Sequence, residues 1–330
     1  MKTIQARYSR RGPRPDQLIE AVEVDLADPG DGEVLVEVIA SPINPSDLLT
    51  LTGAYGILPE LPATGGNEGV GRVVELGAQV QGLRQGQTVL LPLGCGTWAR
   101  HVLAAADDLV PLPDNADPKQ LAMLAINPPT ASLLLSEYVD LEPGDWVIQN
   151  AANSGVGGYL IQLAAERGLR TVNVVRREGA AETIRALNAD AVLIDGEDLP
   201  SQVRAATGGA KIRLAIDAVG GAATERLAGA LAEGGTLVNY GVMSGQPCQI
   251  SPTHLIFRGL TLTGFWLATW YARASQEQRT RLYTDLTRRI AGGHLSAPVA
   301  DTFDILEVKQ AVAAAARGER GGKVLIMPKH

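Results

Sequence analysis

The run Asp145–Leu163, DWVIQNAANSGVGGYLIQL, decides the fold. Trp146 to Gln149 form an apolar strand, Asn150 to Ser154 are small or polar as a tight turn requires, and from Gly155 the pattern becomes that of an amphipathic helix. A helix opening directly after a strand presents its free N–H groups and positive dipole end beyond the strand, which suits a diphosphate. Against the dinucleotide fingerprint G-x-G-x-x-G, the three glycine positions hold Ala152, Ser154 and Gly157, with an extra Gly155. Two glycines are missing, so the strand–turn–helix context carries the reading more than the letters do. Asn153, Ser154, Gly155, Val156 and Gly157 are the cofactor-binding residues expected of this turn.

Outward from the turn the alternation continues. Strand Thr171–Val175 is followed by helical Ala180–Leu187, and Ala191–Ile194, Leu214–Ala218, Gly235–Tyr240 and Leu260–Phe265 extend the strand series, with helical Ala222–Ala232 among them. Such spacing predicts an α/β domain over residues 123–267, a doubly wound parallel sheet. Residues 1–122 read differently. There Glu33–Ala40, Gly69–Leu76 and Thr88–Pro92 are short strands between Gly and Pro, which predicts a barrel-like β domain. Residues 268–330 hold helices at Gln276–Ala291 and Ile305–Arg317 and a terminal strand, Lys323–Met327.

In a doubly wound sheet the end of the second strand selects the nicotinamide cofactor: an acid there bonds a ribose 2′-hydroxyl, an arginine accepts a 2′-phosphate. Thr171–Val175 runs into Arg176 and Arg177, so NADPH is expected over NADH, with Glu178 the competing acid if the turn is shifted. Composition narrows the partners. A chain of 330 residues suits two domains. Its 29 basic against 36 acidic residues give a net charge of −7, which opposes attraction to polyphosphate or anionic lipid, and 4% aromatics is a thin supply for stacking bases. Neither nucleic acid nor membrane is expected as a partner. Two cysteines make no disulfide framework, Met1 to Ala6 begin no apolar secretory stretch, and no apolar run reaches membrane-spanning length, so a cytoplasmic location is expected.

Further motifs bear a resemblance. Ile43-Asn44-Pro45-Ser46-Asp47, Gly53-Ala54-Tyr55-Gly56, Leu58-Pro59-Glu60-Leu61-Pro62, Gly65-Gly66-Asn67-Glu68-Gly69-Val70, Gln149 through Gly157, Asn173-Val174-Val175-Arg176 and Gly264-Phe265-Trp266-Leu267 occur in order and at family spacing. Over its whole length the chain resembles the medium-chain dehydrogenase/reductase superfamily, and within it the NADPH-dependent trans-2-enoyl thioester reductases of mitochondrial type, acting on CoA or acyl-carrier thioesters. The quinone oxidoreductases are the neighbouring family. The resemblance implies a GroES-like catalytic barrel, a Rossmann domain and a return of 268–330 to the catalytic domain. Zinc-dependent relatives need a thiolate in the first loop and an imidazole in a Gly-His-Glu segment; here those positions hold Asn44 and Asn67, and amides are poor zinc ligands. Cys95 and Cys248 are the two cysteines, and His101, His254, His294 and His330 are scattered, so no metal is expected. Cys95 reads as a packed thiol.

Metal-free reduction suits a conjugated alkene, which accepts hydride at its β carbon while the carbonyl oxygen takes enolate charge. The α carbon then needs a proton, and Tyr55 is the candidate: a phenol is protonated at neutral pH and can donate, and the flanking Gly53 and Gly56 place it on a loop. The resemblance gives Tyr55 the catalytic role. It also gives cofactor contacts to Asn44, Asn127, Tyr240, Gly241, Val242, Met243, Phe265, Trp266, Leu267 and Lys323, although from the residues alone Trp266 is equally a core or interface aromatic and Lys323 a solvated strand lysine. The expectation is an NADPH-dependent enoyl thioester reductase, with an NADPH:quinone or 2-alkenal reductase and a catalytically idle NADPH-binding protein as rivals. Gly259 to Leu267 alternates apolar and polar residues without Lys, Glu or Pro, and as the last Rossmann strand it would lie at a sheet edge, so a homodimer through that strand is expected.

Overall fold

The computed structural model describes residues 1–318 and 321–329; His330 lies outside the described residues. The chain forms two compact units, Met1–Ile126 with Tyr283–His330, and Asn127–Leu282. These edges, 126/127 and 282/283, lie a few residues beyond the expected 122/123 and well beyond 267/268, where the helix read at Gln276–Ala291 begins inside the second unit.

The first unit opens with strands β1 (Lys2–Tyr8), β2 (Glu20–Asp25) and β3 (Glu33–Pro42), then helix α1 (Pro45–Thr52). Strands β4 (Ala63–Thr64), β5 (Val70–Leu76), β6 (Thr88–Leu90), β7 (His101–Ala105) and β8 (Val110–Pro111) follow, and helix α2 (Pro118–Leu121) closes the segment. β3 is the hub, pairing antiparallel with both β5 and β7. Its alternation puts Val34, Val36 and Val38 into a core shared with Val73, Val89 and Val102, while Glu33 and Glu37 stay outside. This is the β-rich domain read from the sequence.

The second unit is built of α3 (Asn127–Leu134), β9 (Trp146–Gln149), α4 (Gly155–Glu166), β10 (Arg170–Val175), α5 (Glu178–Arg185), β11 (Ala191–Ile194) and α6 (Leu199–Thr207). It continues through β12 (Leu214–Asp217), α7 (Ala222–Ala230), β13 (Thr236–Asn239), α8 (Pro252–Phe257), β14 (Thr261–Gly264), α9 (Leu267–Arg273) and the first part of α10 (Gln276–Ala291). Its six strands lie in the order β11-β10-β9-β12-β13-β14, every pair parallel. That is the 3-2-1-4-5-6 order of a doubly wound sheet, reversing direction between β9 and β12. β9 and β12 are buried at every residue and read as short apolar runs, as strands covered on both faces do.

The chain then returns to the first unit through the rest of α10, β15 (Val299–Phe303), α11 (Val308–Ala316) and β16 (Lys323–Ile326). β16 pairs antiparallel with β3 and so joins the sheet of the barrel. The single helix expected over Ile305–Arg317 is a short 3-10 turn, Ile305–Glu307, followed by α11; the Asp304 carboxylate caps the turn by accepting the Leu306 N–H at 2.9 Å. Among the described residues, no helix is long and apolar enough to cross a membrane.

Candidate active site

Ligands of doubly wound sheets sit outside the carboxyl ends of the strands, at the reversal point. Here that point is the end of β9, where α4 begins. Ser154 caps α4, its hydroxyl oxygen accepting the Gly157 N–H at 3.1 Å. Gly157 sits against the turn so closely that a Cβ there would lie 2.4 Å from the Ala152 carbonyl oxygen, so only glycine fits. The left-handed residue of the turn is Ala151, with φ 46°, a conformation glycine would adopt more cheaply. The turn therefore combines a capped helix start with one obligatory glycine, while two of the fingerprint glycine positions hold Ala152 and Ser154.

The surrounding polar residues lock this turn. The buried Asp217, ending β12, accepts from Asn150 Nδ2 at 2.6 Å, from the N–H groups of Val219 and Gly220, and from the Thr224 hydroxyl at 2.7 Å. Gln149 donates to the Gly157 carbonyl at 3.1 Å and to Asn173 Oδ1 at 2.8 Å, tying α4 to β10. Tyr240 follows β13 and bonds the Ser154 side chain; burial pushes its phenol up to about 12, the Ser154 bond opposes that, and the Asp217 charge adds to it. Gly241 packs on Ala218, and the Met243 N–H bonds the Ala218 carbonyl at 3.1 Å, so the 240–243 loop closes over the end of β12 with Val242 and Met243 exposed. Arg176 is exposed just past β10, and Arg177 precedes α5; Glu178, the competing acid, is paired with Arg185 at 2.6 Å. Phe265 bonds through its N–H to the Asn239 carbonyl at 2.9 Å, Trp266 is exposed, Leu267 is buried, and Asn127 is buried at the start of α3. Phe265 and Trp266 also line a cavity of about 370 Å³ with Tyr138 and Trp270, which the sequence did not announce.

In the first unit Tyr55 lies just beyond α1, on a half-exposed loop. Gly53 ends α1 in a left-handed conformation, φ 87°, and the chain then turns toward Tyr55. The other end of the loop is held by Arg11, whose guanidinium donates to the Pro59 carbonyl.

The comparisons with known proteins agree with this architecture. Two family profiles match, an alcohol dehydrogenase GroES-like domain over residues 30–114 and a zinc-binding dehydrogenase over residues 155–283. The mitochondrial enoyl-acyl-carrier-protein reductase of Homo sapiens is 39% identical over 313 residues, which cover 93% of this chain and 84% of that protein. The chain belongs to the medium-chain dehydrogenase/reductase superfamily. Solved structures of the superfamily match along the full length: Etr1p in complex with NADP and crotonyl-CoA has a TM-score of 0.89 at 26% identity, covering 99% of this chain and 100% of that one. A candidate NADPH:quinone reductase from Bacillus thuringiensis has a TM-score of 0.89 at 30% identity, covering 100% of both chains. The expected cytoplasmic location is corrected by the relatives: those from human, Xenopus tropicalis, Bos taurus and Arabidopsis thaliana are all named mitochondrial. The missing apolar stretch bears on secretion, whereas entry to an organelle uses amphipathic, Arg-rich segments that such a test does not see.

Superfamily membership raises the question of zinc, which the donor set answers. Asn44 occupies the thiolate position, and its amide is already spent: Nδ2 donates to Glu68 Oε1 at 2.6 Å, and Oδ1 accepts from the Lys323 ammonium. Among the described residues, no group of three His, Cys, Asp or Glu gathers in the way a metal ion requires. These side chains do not fit the zinc of the dehydrogenase profile. Burial pushes the Cys95 thiol up to about 12, so it stays protonated beside the barrel core. Asn44 and Lys323, expected as cofactor contacts, are thus brought together with each other and with Glu68 in the first unit, and neither is more than 6% exposed. Sequence reading missed Asp47 and Glu68, which complete this cluster. For Asp47 a signal exists: Asn, Pro and Asp at the cap, first and third positions are the mark of a helix start.

Proposed function

We propose that the chain reduces the C2–C3 double bond of 2-enoyl thioesters with NADPH. The observation that carries this reading is the likeness to enoyl-acyl-carrier-protein reductases across 93% of the chain, joined to a capped glycine turn at the sheet reversal and an arginine after the second strand. Bound NADPH supplies a hydride, which the substrate accepts at its β carbon. The α4 N-terminus, with Asn153 to Gly157, holds the diphosphate. Arg176 takes the 2′-phosphate, with Arg177 beside it. Asn127, the 240–243 loop and Phe265 to Leu267 line the rest of the cofactor site. The Tyr55 hydroxyl bonds the carbonyl oxygen as enolate charge develops, or delivers its proton to the α carbon, and recovers that proton from solvent. The chain acts as a homodimer joined along β14.

The Bacillus thuringiensis likeness, 30% over the whole chain, favours a second reading, NADPH:quinone or 2-alkenal reduction on the same scaffold. A panel of crotonyl thioesters on CoA and on an acyl carrier, enals and quinones, each assayed with NADPH and NADH, separates the two. NADPH-dependent turnover that favours thioesters is expected; faster turnover of quinones would overturn the first reading.

A further inference from the structure

The first unit contains a buried charge cluster to which the reaction above gives no part. Asp47 is the third residue of α1, and its carboxylate faces two ways. Oδ2 accepts the Asn44 N–H at 2.7 Å, closing the start of the helix, and Oδ1 accepts the Asn67 N–H at 3.0 Å, reaching across to the turn before β5. The next residue of that turn, Glu68, accepts from Asn44 Nδ2 at 2.6 Å and from the Ile126 N–H at 2.9 Å. Lys323, the first residue of β16, donates to Asn44 Oδ1. Asp47 is 3% exposed, Glu68 0% and Lys323 6%, so two carboxyl groups and one ammonium are sealed from water together. Leaving any one of them unpaired would be costly, which makes the cluster a rigid joint.

What this joint holds is the base of the Tyr55 loop. α1 has eight residues, its last turn is closed by the Ala54 N–H on the Leu49 carbonyl at 2.9 Å, and Tyr55 is the next residue. Only Gly53 and Ala54 lie between the helix and Tyr55, and their N–H groups bond back to the Thr50 carbonyl at 3.2 Å and the Leu49 carbonyl at 2.9 Å, so a swing of α1 at its start is carried to the phenol. Arg11 fixes the far side of the loop at Pro59, and its stem would lie 3.3 Å from a Cβ at Gly53.

We propose that Asp47 is the positioning residue for Tyr55, its carboxylate locking α1 to the turn at Asn67 while Glu68 and Lys323 hold it in charge balance. This rests on the reading of Tyr55 as the proton-donating group. Asp47→Asn keeps the shape of the side chain but offers one acceptor oxygen to two N–H donors, so one tether is lost. The expected result is a fall in kcat with crotonyl thioester of about 10- to 100-fold, the size of effect that a displacement near 1 Å produces, with KM and NADPH affinity held within about twofold. Hydrogen exchange should quicken in residues 44–55 and 65–69 together. On a Tyr55→Phe background the same substitution should cost little further rate, since the group it positions is gone. Additive losses in that double variant, or faster exchange confined to α1, would overturn the proposal. Should Asp47→Asn fail to fold, Asp47→Glu, which keeps the charge and moves it by one methylene, enters the same cycle. Tyr55→Phe alone tests the parent reading: if it retains full activity that reading falls, and the exchange pattern still decides whether Asp47 couples the two segments.

Discussion

At the scale of the residue, two side chains carry the reading of cofactor and chemistry. Arg176 is exposed and past the end of β10, with the neighbouring acid Glu178 engaged by Arg185. Loss of a charge-assisted bond to a phosphate costs about 1.5–3 kcal/mol, so Arg176→Ala should weaken NADPH by about 10- to 150-fold and leave NADH nearly unchanged. Fluorescence titration with both cofactors checks this, and equal losses would remove Arg176 from the phosphate site. Tyr55→Phe keeps the ring and deletes the hydroxyl. Turnover should fall by about 10²- to 10⁴-fold with cofactor affinity preserved, measured where hydride transfer limits the rate. Both proposals start from the sequence, because their chemical type, an arginine after a strand and a phenol between glycines, is itself the signal. The cluster of Asp47 and Glu68 was not legible there: the helix-start pattern marks Asp47 as a cap acid, but a buried acid looks like any acid until the fold shows that Asn44, Asn67, Ile126 and Lys323 converge on the pair. Asp217 escaped for the same reason. Its partners Asn150 and Thr224 come from separate elements, brought together by the parallel pairing of β12 with β9 and by the helix that follows.

At the scale of the element, hydrophobic period and glycine placement made the six Rossmann strands readable to within a residue or two, since strands covered on both faces must be short apolar runs. Helices such as α1 and α9 were not read. α1 buries Asp47, Thr50 and Leu51 and α9 buries Leu267, so neither carries a long apolar stripe. β14 pairs with β13 on one side and has no strand on the other among the described residues. The Thr261 and Phe265 N–H groups bond the Gly235 and Asn239 carbonyls of the β13 side, so by the two-residue period of a strand the Leu262 and Gly264 N–H groups face the open edge. At the far end of that edge Tyr138 donates to the Gly264 carbonyl at 3.1 Å, leaving the Leu262 side as the stretch available for pairing. Leu262→Pro therefore deletes an edge donor while sparing the ladder to β13. Light scattering should report about twice the 34.7 kDa chain mass for the wild type and a shift toward monomer for the variant. A wild type that stays monomeric at micromolar concentration would end the proposal of a β14 dimer.

At the scale of the whole molecule, the cluster around Asp47 couples global stability to pH. Burial pushes the Asp47 carboxyl up to about 7, against the pull of the Asn44 N–H and the Lys323 charge, and it drives Glu68 in the same direction. One ammonium balances one carboxylate, so the folded chain keeps a proton on the pair that the unfolded chain has released. Between the ordinary carboxylate range near 4 and about 7, the folded state thus binds more protons than the unfolded state. Stability from this source is complete below about pH 4 and is lost as pH rises toward 7, at up to about 1.4 kcal/mol per pH unit for each excess proton. Asp114 and Asp145 act with the opposite sign. Their carboxyls are held low, chiefly by the Thr88 and Glu142 N–H groups, so their contribution is lost as pH falls below about 4, outside the window of interest. Denaturant melts of the wild type at pH 5, 6 and 7 should show unfolding free energy declining with pH. Glu68→Gln removes one titrating carboxyl and should flatten that decline, while the contributions of Asp114 and Asp145 cancel in the comparison. Equal slopes in the two proteins would mean that both carboxylates are ionised across the whole range and that Lys323 and the surrounding N–H groups fully compensate them.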